Sequence, residues 1–218
     1  EADAVRAEEP DVVIVATGGL PHTEVLARGN DLVVSSWDII SGDARPGSNV
    51  LVFDDAGDHA ALQAAEVLAG SSAKVEVMTP DRTFSPEVMG MNLVPYMRSL
   101  QKLDVTFTVT YRLDAVERSG NQLIATIGSD YGGVSRQQTY DQVVINHGTI
   151  PLDELYFELK PFSTNLGEVS HDDLIAGVPQ SVVRNPDGGF QLFRIGDAVS
   201  ARNTHAAVYD ALRLMKDL

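Results

Sequence analysis

Hydrophobic runs that end in glycine-containing turns dominate the pattern of this chain. Residues 11–19 read Asp-Val-Val-Ile-Val-Ala-Thr-Gly-Gly, so four consecutive β-branched residues precede a small-residue turn. Such a run predicts a strand buried on both faces, as in a parallel sheet. The segments at 141–148 and 190–197 repeat this pattern. Ligands bind at the carboxyl ends of strands in open α/β sheets, so the three turns are candidate ligand contacts. The alternative is that they only end the strands.

The middle of the chain predicts alternating strands and helices. The strands are expected at 49–53, 74–78 and 104–109, and the helices at 58–69 and 86–102, with a kink at Pro95. Short alternating segments around Ser119-Gly120-Asn121 then predict antiparallel strands at 113–118, 122–127 and 138–140. The predicted fold class is therefore α/β, with a Rossmann-like parallel sheet and a β-meander.

The remaining segments are less regular. Residues 20–46 are expected to be mostly loop with a short helix over 37–40, and residues 149–188 are expected to be loop-rich. A last helix is predicted over about 203–216. The side chains of this helix that are expected to face the sheet are Ala206, Ala207, Ala211, Leu214 and Met215.

Composition and charge exclude several classes of partner. Of the 218 residues, 44% are hydrophobic and 22% are charged, which is typical of a globular chain. With 16 basic and 31 acidic residues the net charge is −15, so its field repels phosphates and excludes nucleic acid or an anionic membrane as the main partner. No apolar run approaches the roughly 18 residues of a membrane span, and no signal-peptide pattern occurs at residue 1. We therefore expect a cytoplasmic protein.

Several kinds of chemistry have no support in the sequence. The chain has no cysteine, so it cannot itself build a disulfide, a cysteine zinc site, an iron–sulfur cluster or a thiolate nucleophile. The five histidines form no HxH or HExxH pair, and no GxSxG motif is present, so we predict neither a metal site nor a hydrolase triad. No residue of the chain is assigned a catalytic role. The histidines are His22, His59, His147, His171 and His205.

The first βαβ unit carries a degenerate dinucleotide-binding loop. When residues 54–59 are aligned on GxGxxG, the three glycine positions hold Asp54, Ala56 and His59. Asp54, Asp55 and Asp58 also place three carboxylates where a pyrophosphate would approach the helix. Carboxylates suit the helix dipole but repel phosphate. We therefore predict that this unit keeps the fold of a nucleotide domain and has lost NAD(P) binding.

The turn after the last strand is the stronger candidate for a binding site. Asp197 follows Gly196 directly, and its carboxylate can accept hydrogen bonds from ribityl or ribose hydroxyls. The helix start at Asn203, Thr204 and His205 could face a phosphate or a flavin edge. The alternative is that Asp197 only caps a helix and contacts no ligand.

The order of these segments resembles the flavoproteins with two dinucleotide-binding domains, in which an NAD(P)-type domain is inserted in an FAD-type domain. The segments 146–160 and 192–198 (NHGTIPLDELYFELK and LFRIGDA) are similar to the NADH:flavin oxidoreductase family of trimethylamine dehydrogenase, histamine dehydrogenase and 2,4-dienoyl-CoA reductase. Within it they resemble the N-methylproline and dimethylglycine demethylase-like branch. The resemblance covers nearly the whole chain.

The resemblance implies three segments and a set of nucleotide contacts. Residues 1–46 would form the end of the first FAD-domain segment and the crossover, residues 47–148 the NAD(P)-like domain, and residues 149–218 the second FAD-domain segment. The NAD(P)-type domain would thus be inserted in a partial FAD-type domain. The positions that match nucleotide contacts of the family are Thr17, Gly18, Gly196, Asp197, Asn203, Thr204, His205 and Ala206.

The resemblance also implies a larger parent protein. Family members begin with a TIM barrel that holds FMN, a four-cysteine segment that holds a [4Fe–4S] cluster, and a first FAD-domain segment. The chain would be a C-terminal fragment whose partner is this remainder of the parent, and it would be inactive alone. FAD or ADP could bind at the positions named above, although we expect the site to be empty in the fragment.

Three functions follow from these observations. The first is the nucleotide-binding-type module of an N-methyl amine dehydrogenase or demethylase that passes electrons to an electron-transfer flavoprotein, as the degenerate loop favours. The second is part of an NAD(P)H-dependent flavin or enoate reductase, which needs a working phosphate loop. The third is a structural or docking domain that binds no nucleotide. An acidic surface would suit a basic partner, but acidic charge is also common in proteins for solubility alone.

Overall fold

A computed structural model describes residues 1–216, which pack into two units. The first unit combines Glu1–Leu20 with the residues from Thr149 onward, and the second unit is Pro21–Gly148. Residues 21–46, interpreted from the sequence as part of a crossover, thus pack with the second unit. The identity of the units as FAD-type and NAD(P)-type segments with the predicted boundaries stays a prediction.

Nineteen helices and strands make up the two units. The helices are α1 (Ala2–Ala7), α2 (Ser36–Ser41), α3 (His59–Gly70), α4 (Gly90–Lys102), α5 (Glu154–Leu159), α6 (His171–Ala176) and α7 (Thr204–Met215). The strands are β1 (Val12–Val15), β2 (Gly19–Pro21), β3 (Val34–Ser35), β4 (Asn49–Asp54), β5 (Lys74–Met78), β6 (Thr106–Thr108), β7 (Arg112–Ser119), β8 (Gln122–Gly128), β9 (Ser135–Tyr140), β10 (Gln142–Asn146), β11 (Thr149–Pro151) and β12 (Gln191–Arg194). Short 3₁₀ turns occur at Asn30–Leu32, Lys160–Phe162 and Gly196–Ala198.

The second unit is built on a five-stranded parallel sheet in the order β3-β10-β4-β5-β6. The central strand β4 is buried on both faces because successive side chains point to opposite sides. Val50 and Val52 pack into the cluster that contains the alanine-rich face of α3. Leu51 and Phe53 pack into the opposite cluster, which contains the meander. The predicted α/β class with a Rossmann-like parallel sheet is confirmed.

The predicted meander is also confirmed, as the antiparallel sheet β7-β8-β9. Ser119 pairs with Gln122, so Gly120 and Asn121 form the two-residue turn that the sequence indicated. Alternate residues of β8 are buried, and they include Leu123, Ala125 and Ile127 in the cluster shared with β4. The meander therefore covers one face of the parallel sheet.

A half-buried carboxylate joins this meander to the parallel sheet. Glu76 of β5 accepts hydrogen bonds from the Tyr140 hydroxyl at 2.6 Å, the Thr108 hydroxyl at 2.7 Å and the Gln138 amide at 3.1 Å. Burial, together with the nearby Glu76 charge, raises the pKa of Tyr140 far above its usual range. The phenol therefore stays protonated and remains a donor.

The first unit contains the parallel pair β1 and β12, with Val12 opposite Gln191 and Val15 opposite Arg194. The prediction that β1 is buried on both faces is wrong in this chain, because only Val15 is buried and the preceding residues of the strand are half-buried. The reason is that β1 pairs with one strand only. The core of this unit is a cluster around Leu159, Leu192 and Ala198.

Two further expectations differ from the structure. The segment 149–188, expected to be loop-rich, contains β11, α5 and α6. Each of these helices has six residues, which is too short for an apolar periodicity to show in the sequence. Met215, expected to face the sheet, is 58% exposed, whereas Leu214 beside it is buried. Within residues 1–216, none of the helices has the length and apolar character needed to cross a membrane.

The Glu76 cluster generates a stability prediction. Tyr140→Phe removes one donor from Glu76 while keeping the buried ring, so we expect the free energy of unfolding to fall by about 1.5–3 kcal/mol, as for hydrogen bonds to charged groups. Urea denaturation followed by far-UV circular dichroism measures the change. Tyr131→Phe is the matched control because Tyr131 is 69% exposed. Equal effects of the two substitutions would contradict the assignment.

Candidate functional site

A cleft of about 350 Å³ lies in the first unit at the carboxyl ends of β1 and β12. We call it the β1–β12 cleft. Parallel pairing of the two strands brings their following turns to the same edge, although about 180 residues separate them in the sequence. The residues that line the β1–β12 cleft are Ala16, Gly18, Ile195, Gly196, Asp197, Arg202, Asn203, Thr204 and Ala207.

Two glycines form the backbone of this cleft. Gly18 has a φ of +74° and Gly196 a φ of +61°, both in the left-handed region that favours glycine. A Cβ at Gly196 would lie 3.4 Å from the Cβ of Ala207, so the turn passes close to α7. A Cβ at Gly18 would meet no atom within 4 Å, which leaves open space beside that turn.

The start of α7 forms another wall of the cleft. Asn203 is the N-cap, and its side-chain oxygen accepts from the backbone N–H of Ala206 at 3.0 Å. The N–H groups of Thr204 and His205 have no acceptor within the helix, because the first turn of a helix lacks such partners. The dipole of the 12-residue helix adds partial positive charge there.

Arg202 and Asp210 form an ion pair that the sequence analysis missed. Asp210 accepts from the Arg202 guanidinium on both oxygens, with Nη1 to Oδ1 at 3.3 Å and a shorter contact from Nη2 to Oδ2. The hydrogen bond from Arg202 holds the pKa of Asp210 below its usual range. Asp210 lies eight residues after Arg202, and no local sequence pattern predicts that the two residues pair. The only sequence signal is a carboxylate on the inward face predicted for α7.

The structure brings five of the eight predicted nucleotide contacts to one cleft: Gly18, Gly196, Asp197, Asn203 and Thr204. The other three do not line it. The Thr17 hydroxyl donates to the backbone oxygen of Leu152, the N–H of Ala206 is used by the cap, and His205 is exposed on α7. Whether any of the eight contacts a nucleotide stays a prediction.

The loop after β4 in the second unit differs from the β1–β12 cleft because several of its backbone N–H groups donate to acceptors within the same unit. The N–H groups of Asp55 and Ala56 both donate to the backbone oxygen of Asn146, at 2.9 and 3.2 Å. The N–H of Gly57 donates to Asp54 Oδ1 at 2.9 Å. Asp58 is the N-cap of α3 and accepts from Ala60 N–H at 2.9 Å. The N–H groups of Asp55, Ala56, Gly57 and Ala60 are thus already hydrogen-bonded.

Asn146 holds this loop together through its side chain. Its Nδ2 donates to Asp54 Oδ1 and to Asp58 Oδ1, both at 2.9 Å, and its Oδ1 accepts from the Ser36 hydroxyl at 2.8 Å. Asp54 and Asn146 are directly opposite each other in the β4–β10 register. His59, the third degenerate position, contacts the Tyr96 hydroxyl through Nδ1 at 3.2 Å. Asp54, Ala56 and His59, which occupy the three glycine positions of the motif, thus each make a polar contact within the second unit.

The Asp54 carboxyl is fully buried, and its Oδ2 has no hydrogen-bond partner within residues 1–216. Burial raises the pKa of Asp54 from 3.8 to about 6, the hydrogen bond from Asn146 lowers it, and the nearby Asp58 charge raises it. In weakly acidic solution, a substantial fraction of the molecules therefore carries a protonated Asp54 carboxyl. The loop therefore contains a titratable group at its base.

Other polar groups lie near the same edge of the second unit. A cleft of about 370 Å³ is lined in part by His22, Asp55 and His147. His147 Nδ1 is 2.7 Å from Asp55 Oδ2, but the two groups are not aligned as a hydrogen bond. Among the described residues, no group of three or more histidine or acidic side chains could hold a metal ion.

The raised pKa of Asp54 predicts a pH-dependent stability. A carboxyl whose folded pKa exceeds its unfolded value stabilises the fold when protonated, and this contribution is lost as the pH rises through about 6. Relative to Asp54→Asn, which does not titrate, the natural protein should therefore lose about 2 kcal/mol of unfolding free energy between pH 4.5 and 7.5. Urea denaturation at the two pH values measures this difference.

The control for this experiment is Asp81→Asn, an exposed carboxylate of the same unit whose side chain makes no hydrogen bond within the described chain. Its difference from the natural protein should not change over the same pH range. A difference between the natural protein and Asp54→Asn that is equally independent of pH would contradict the assignment.

Comparisons with known sequences give close relatives, although no protein-family profile matches the chain. It is 79% identical over 218 residues to a probable N-methylproline demethylase of Rhizobium meliloti, of which it covers 32%. It is 41% identical over 219 residues to the N,N-dimethylglycine/sarcosine dehydrogenase of Chromohalobacter salexigens, of which it also covers 32%. The chain thus spans about a third of the length of these curated relatives.

Solved structures show the same fold. A 6-hydroxypseudooxynicotine amine oxidase from Pseudomonas geniculata matches 96% of the chain and 29% of its own length, with a TM-score of 0.73 and 27% identity. The thioredoxin reductase of T. acidophilum matches 93% of the chain and 62% of its own length, with a TM-score of 0.61 and 15% identity, which supports the fold alone. The fold is that of FAD/NAD(P)-type domains.

The resemblance inferred from the sequence is confirmed by these relatives. The chain is homologous to the C-terminal third of flavoprotein oxidoreductases of the N-methylproline demethylase and dimethylglycine dehydrogenase type.

Proposed function

We propose that the β1–β12 cleft binds the adenine-nucleotide part of FAD, or ADP, in a flavoprotein oxidoreductase that oxidises N-methyl amines. The observation that carries this proposal is the convergence of two left-handed glycine turns, the Asp197 carboxylate and the start of α7 on one cleft. Its volume of about 350 Å³ lies within the roughly 300–1,000 Å³ typical of small-molecule sites.

The chemistry of the lining residues suits a nucleotide. Asp197 is half-buried, and its Oδ1 accepts from the Arg202 backbone N–H at 3.3 Å, which orients the carboxylate. The free carboxylate oxygen can accept from ribose hydroxyls. The unpaired N–H groups at the start of α7 suit a phosphate, because the helix dipole favours negative charge there. The open space beside Gly18 lets a ligand approach the backbone.

The loop at residues 54–59 does not suit NAD(P)H. Its amides donate to Asn146 and Asp54, and the carboxylates of Asp54, Asp55 and Asp58 surround the start of α3. A pyrophosphate would have to displace these hydrogen bonds and approach three carboxylates. This supports an amine-oxidising parent over a parent that takes hydride from NAD(P)H.

The parent enzyme would hold its redox centres outside this chain. The names of two relatives concern N-methylproline and N,N-dimethylglycine or sarcosine, so the substrate class we propose is an N-methyl amino acid. FMN, when bound in the parent, would supply the oxidation of the amine, and a [4Fe–4S] cluster would pass electrons singly to an electron-transfer flavoprotein. This chain contributes the nucleotide cleft and is inactive alone.

Nucleotide titration of the full-length parent tests the proposal. We expect FAD or ADP to bind the apoprotein, and Asp197→Asn to weaken ADP binding about tenfold, because one charge-assisted hydrogen bond to the ribose is lost. NADH and NADPH should bind no more tightly than inorganic phosphate. Isothermal titration calorimetry with FAD, ADP, NADH, NADPH and inorganic phosphate measures these affinities.

Asp187→Asn is the control for this substitution, because Asp187 is exposed in a turn outside the β1–β12 cleft. It should leave the affinity for ADP unchanged. Tight NADPH binding would contradict the interpretation of residues 54–59 and favour the reductase. The absence of binding by every nucleotide would favour a structural or docking domain.

A further inference from the structure

A buried carboxylate lies behind the β1–β12 cleft. Asp210 of α7 is 9% exposed, and within the described chain it is one of two carboxylates classed as buried, the other being Asp54 in the second unit. Asp210 does not line the β1–β12 cleft; it lines a neighbouring cleft together with Arg213 and Leu214, and the two clefts share Arg202. A buried charge is costly unless it is paired, so its partners indicate its role.

Both strong partners of Asp210 are lining residues of the β1–β12 cleft. The backbone N–H of Gly196 donates to Asp210 Oδ2 at 3.2 Å, and the Arg202 guanidinium donates to both carboxylate oxygens. Arg213 is more distant, at 3.9 Å from Oδ1, and is largely exposed. One carboxylate thus links the turn after β12 to the residue that precedes the N-cap of α7.

These contacts fix two different features of the cleft. The bond to Gly196 N–H holds the left-handed turn that sets the direction of Asp197. The bonds to Arg202 leave its Nε–H and one Nη1–H without a partner among the described residues, because a guanidinium carries five N–H donors. Arg202 is thereby held at the wall of the cleft, and these two N–H groups are available to a ligand there.

We infer that Asp210 is a positioning residue of the β1–β12 cleft: its buried carboxylate fixes Gly196 and Arg202, and so sets the affinity of the cleft for adenine nucleotides without touching them. The inference rests on the proposed function. It assigns a role to a residue on the inward face of α7 that packing alone does not require, since a leucine there would bury more apolar surface.

The full set of contacts at position 210 needs both carboxylate oxygens and their negative charge. In Asp210→Asn the amide has one acceptor oxygen and one NH₂ group in place of two acceptors. With the amide oxygen in the place of Oδ2, it still accepts from Gly196 N–H and Arg202 Nη2, but the NH₂ group then faces the Nη1–H donor of Arg202. In the flipped orientation the NH₂ group faces both Gly196 N–H and Arg202 Nη2. Either orientation therefore loses at least one hydrogen bond of the ion pair, and the remaining hydrogen bonds lose the negative charge that strengthens them.

The experiment compares Asp210→Asn with the natural full-length parent. We expect the affinity for ADP, measured by titration calorimetry, to fall about tenfold, the effect of losing one hydrogen bond to a charged group. Leu214→Ala is the matched control, because Leu214 is buried on the same helix one turn later and makes none of these contacts. It should lower the melting temperature while leaving the ADP affinity within about twofold.

A measurement without ligand separates the two proposals. Amide hydrogen exchange of the peptide containing Gly196 should become at least about tenfold faster in Asp210→Asn and stay unchanged in Leu214→Ala. If the natural protein binds ADP but Asp210→Asn changes neither the ADP affinity nor the amide exchange at Gly196, the inference is wrong while the proposed function stands. Natural protein that binds no adenine nucleotide overturns the proposed function and, with it, this role of Asp210. An equal loss of affinity in Leu214→Ala also overturns the inference, because the effect would then be general destabilisation.

Discussion

Parallel pairing between strands that are distant in the sequence is the constraint on which the candidate sites depend. The β1–β12 register places Val15 opposite Arg194, so the turns that follow both strands meet at one edge. The β10–β4 register places Asn146 opposite Asp54 in the same way. Because a parallel pair aligns carboxyl ends, each register brings together polar residues that the chain keeps far apart.

The two edges differ in how their backbone donors are satisfied. In the second unit, Asn146 and Asp54 accept from the N–H groups of Asp55, Ala56 and Gly57. In the first unit, the Asn203 side chain accepts from the N–H of Ala206, whereas the N–H groups of Thr204 and His205 have no acceptor within α7. This difference supports the proposal that the first edge, rather than the second, receives an acceptor from outside the chain. The proposed difference in function between the two units rests on this contrast and not on the fold class.

The relatives make this contrast informative. The chain is homologous to the C-terminal third of flavoprotein oxidoreductases, and its fold is that of FAD/NAD(P)-type domains. The unit β4-α3-β5 keeps its sheet and helix packing although it lacks the GxGxxG motif and several of its loop N–H groups bond to the protein itself. The fold therefore persists without the motif. Alanine-rich packing of α3 against β4 and β5 accounts for that persistence, because it depends on small side chains and not on a phosphate.

The sequence by itself determined the α/β class, the order of the main strands and helices between residues 49 and 146, and the resemblance to flavoprotein oxidoreductases of this type. The class and the element order follow from β-branched runs, alanine-rich helices and turn residues, which are local patterns. The sequence also placed Gly18, Gly196 and Asp197 at strand ends. Only the tertiary structure decided that Arg202 and Asp210 pair, that Asn146 bonds the degenerate loop, and that β1 and Met215 are more exposed than the pattern indicates. The reason is physical: hydrophobic periodicity follows local backbone geometry, whereas the partner of a buried polar group depends on which distant segment the sheet register brings beside it.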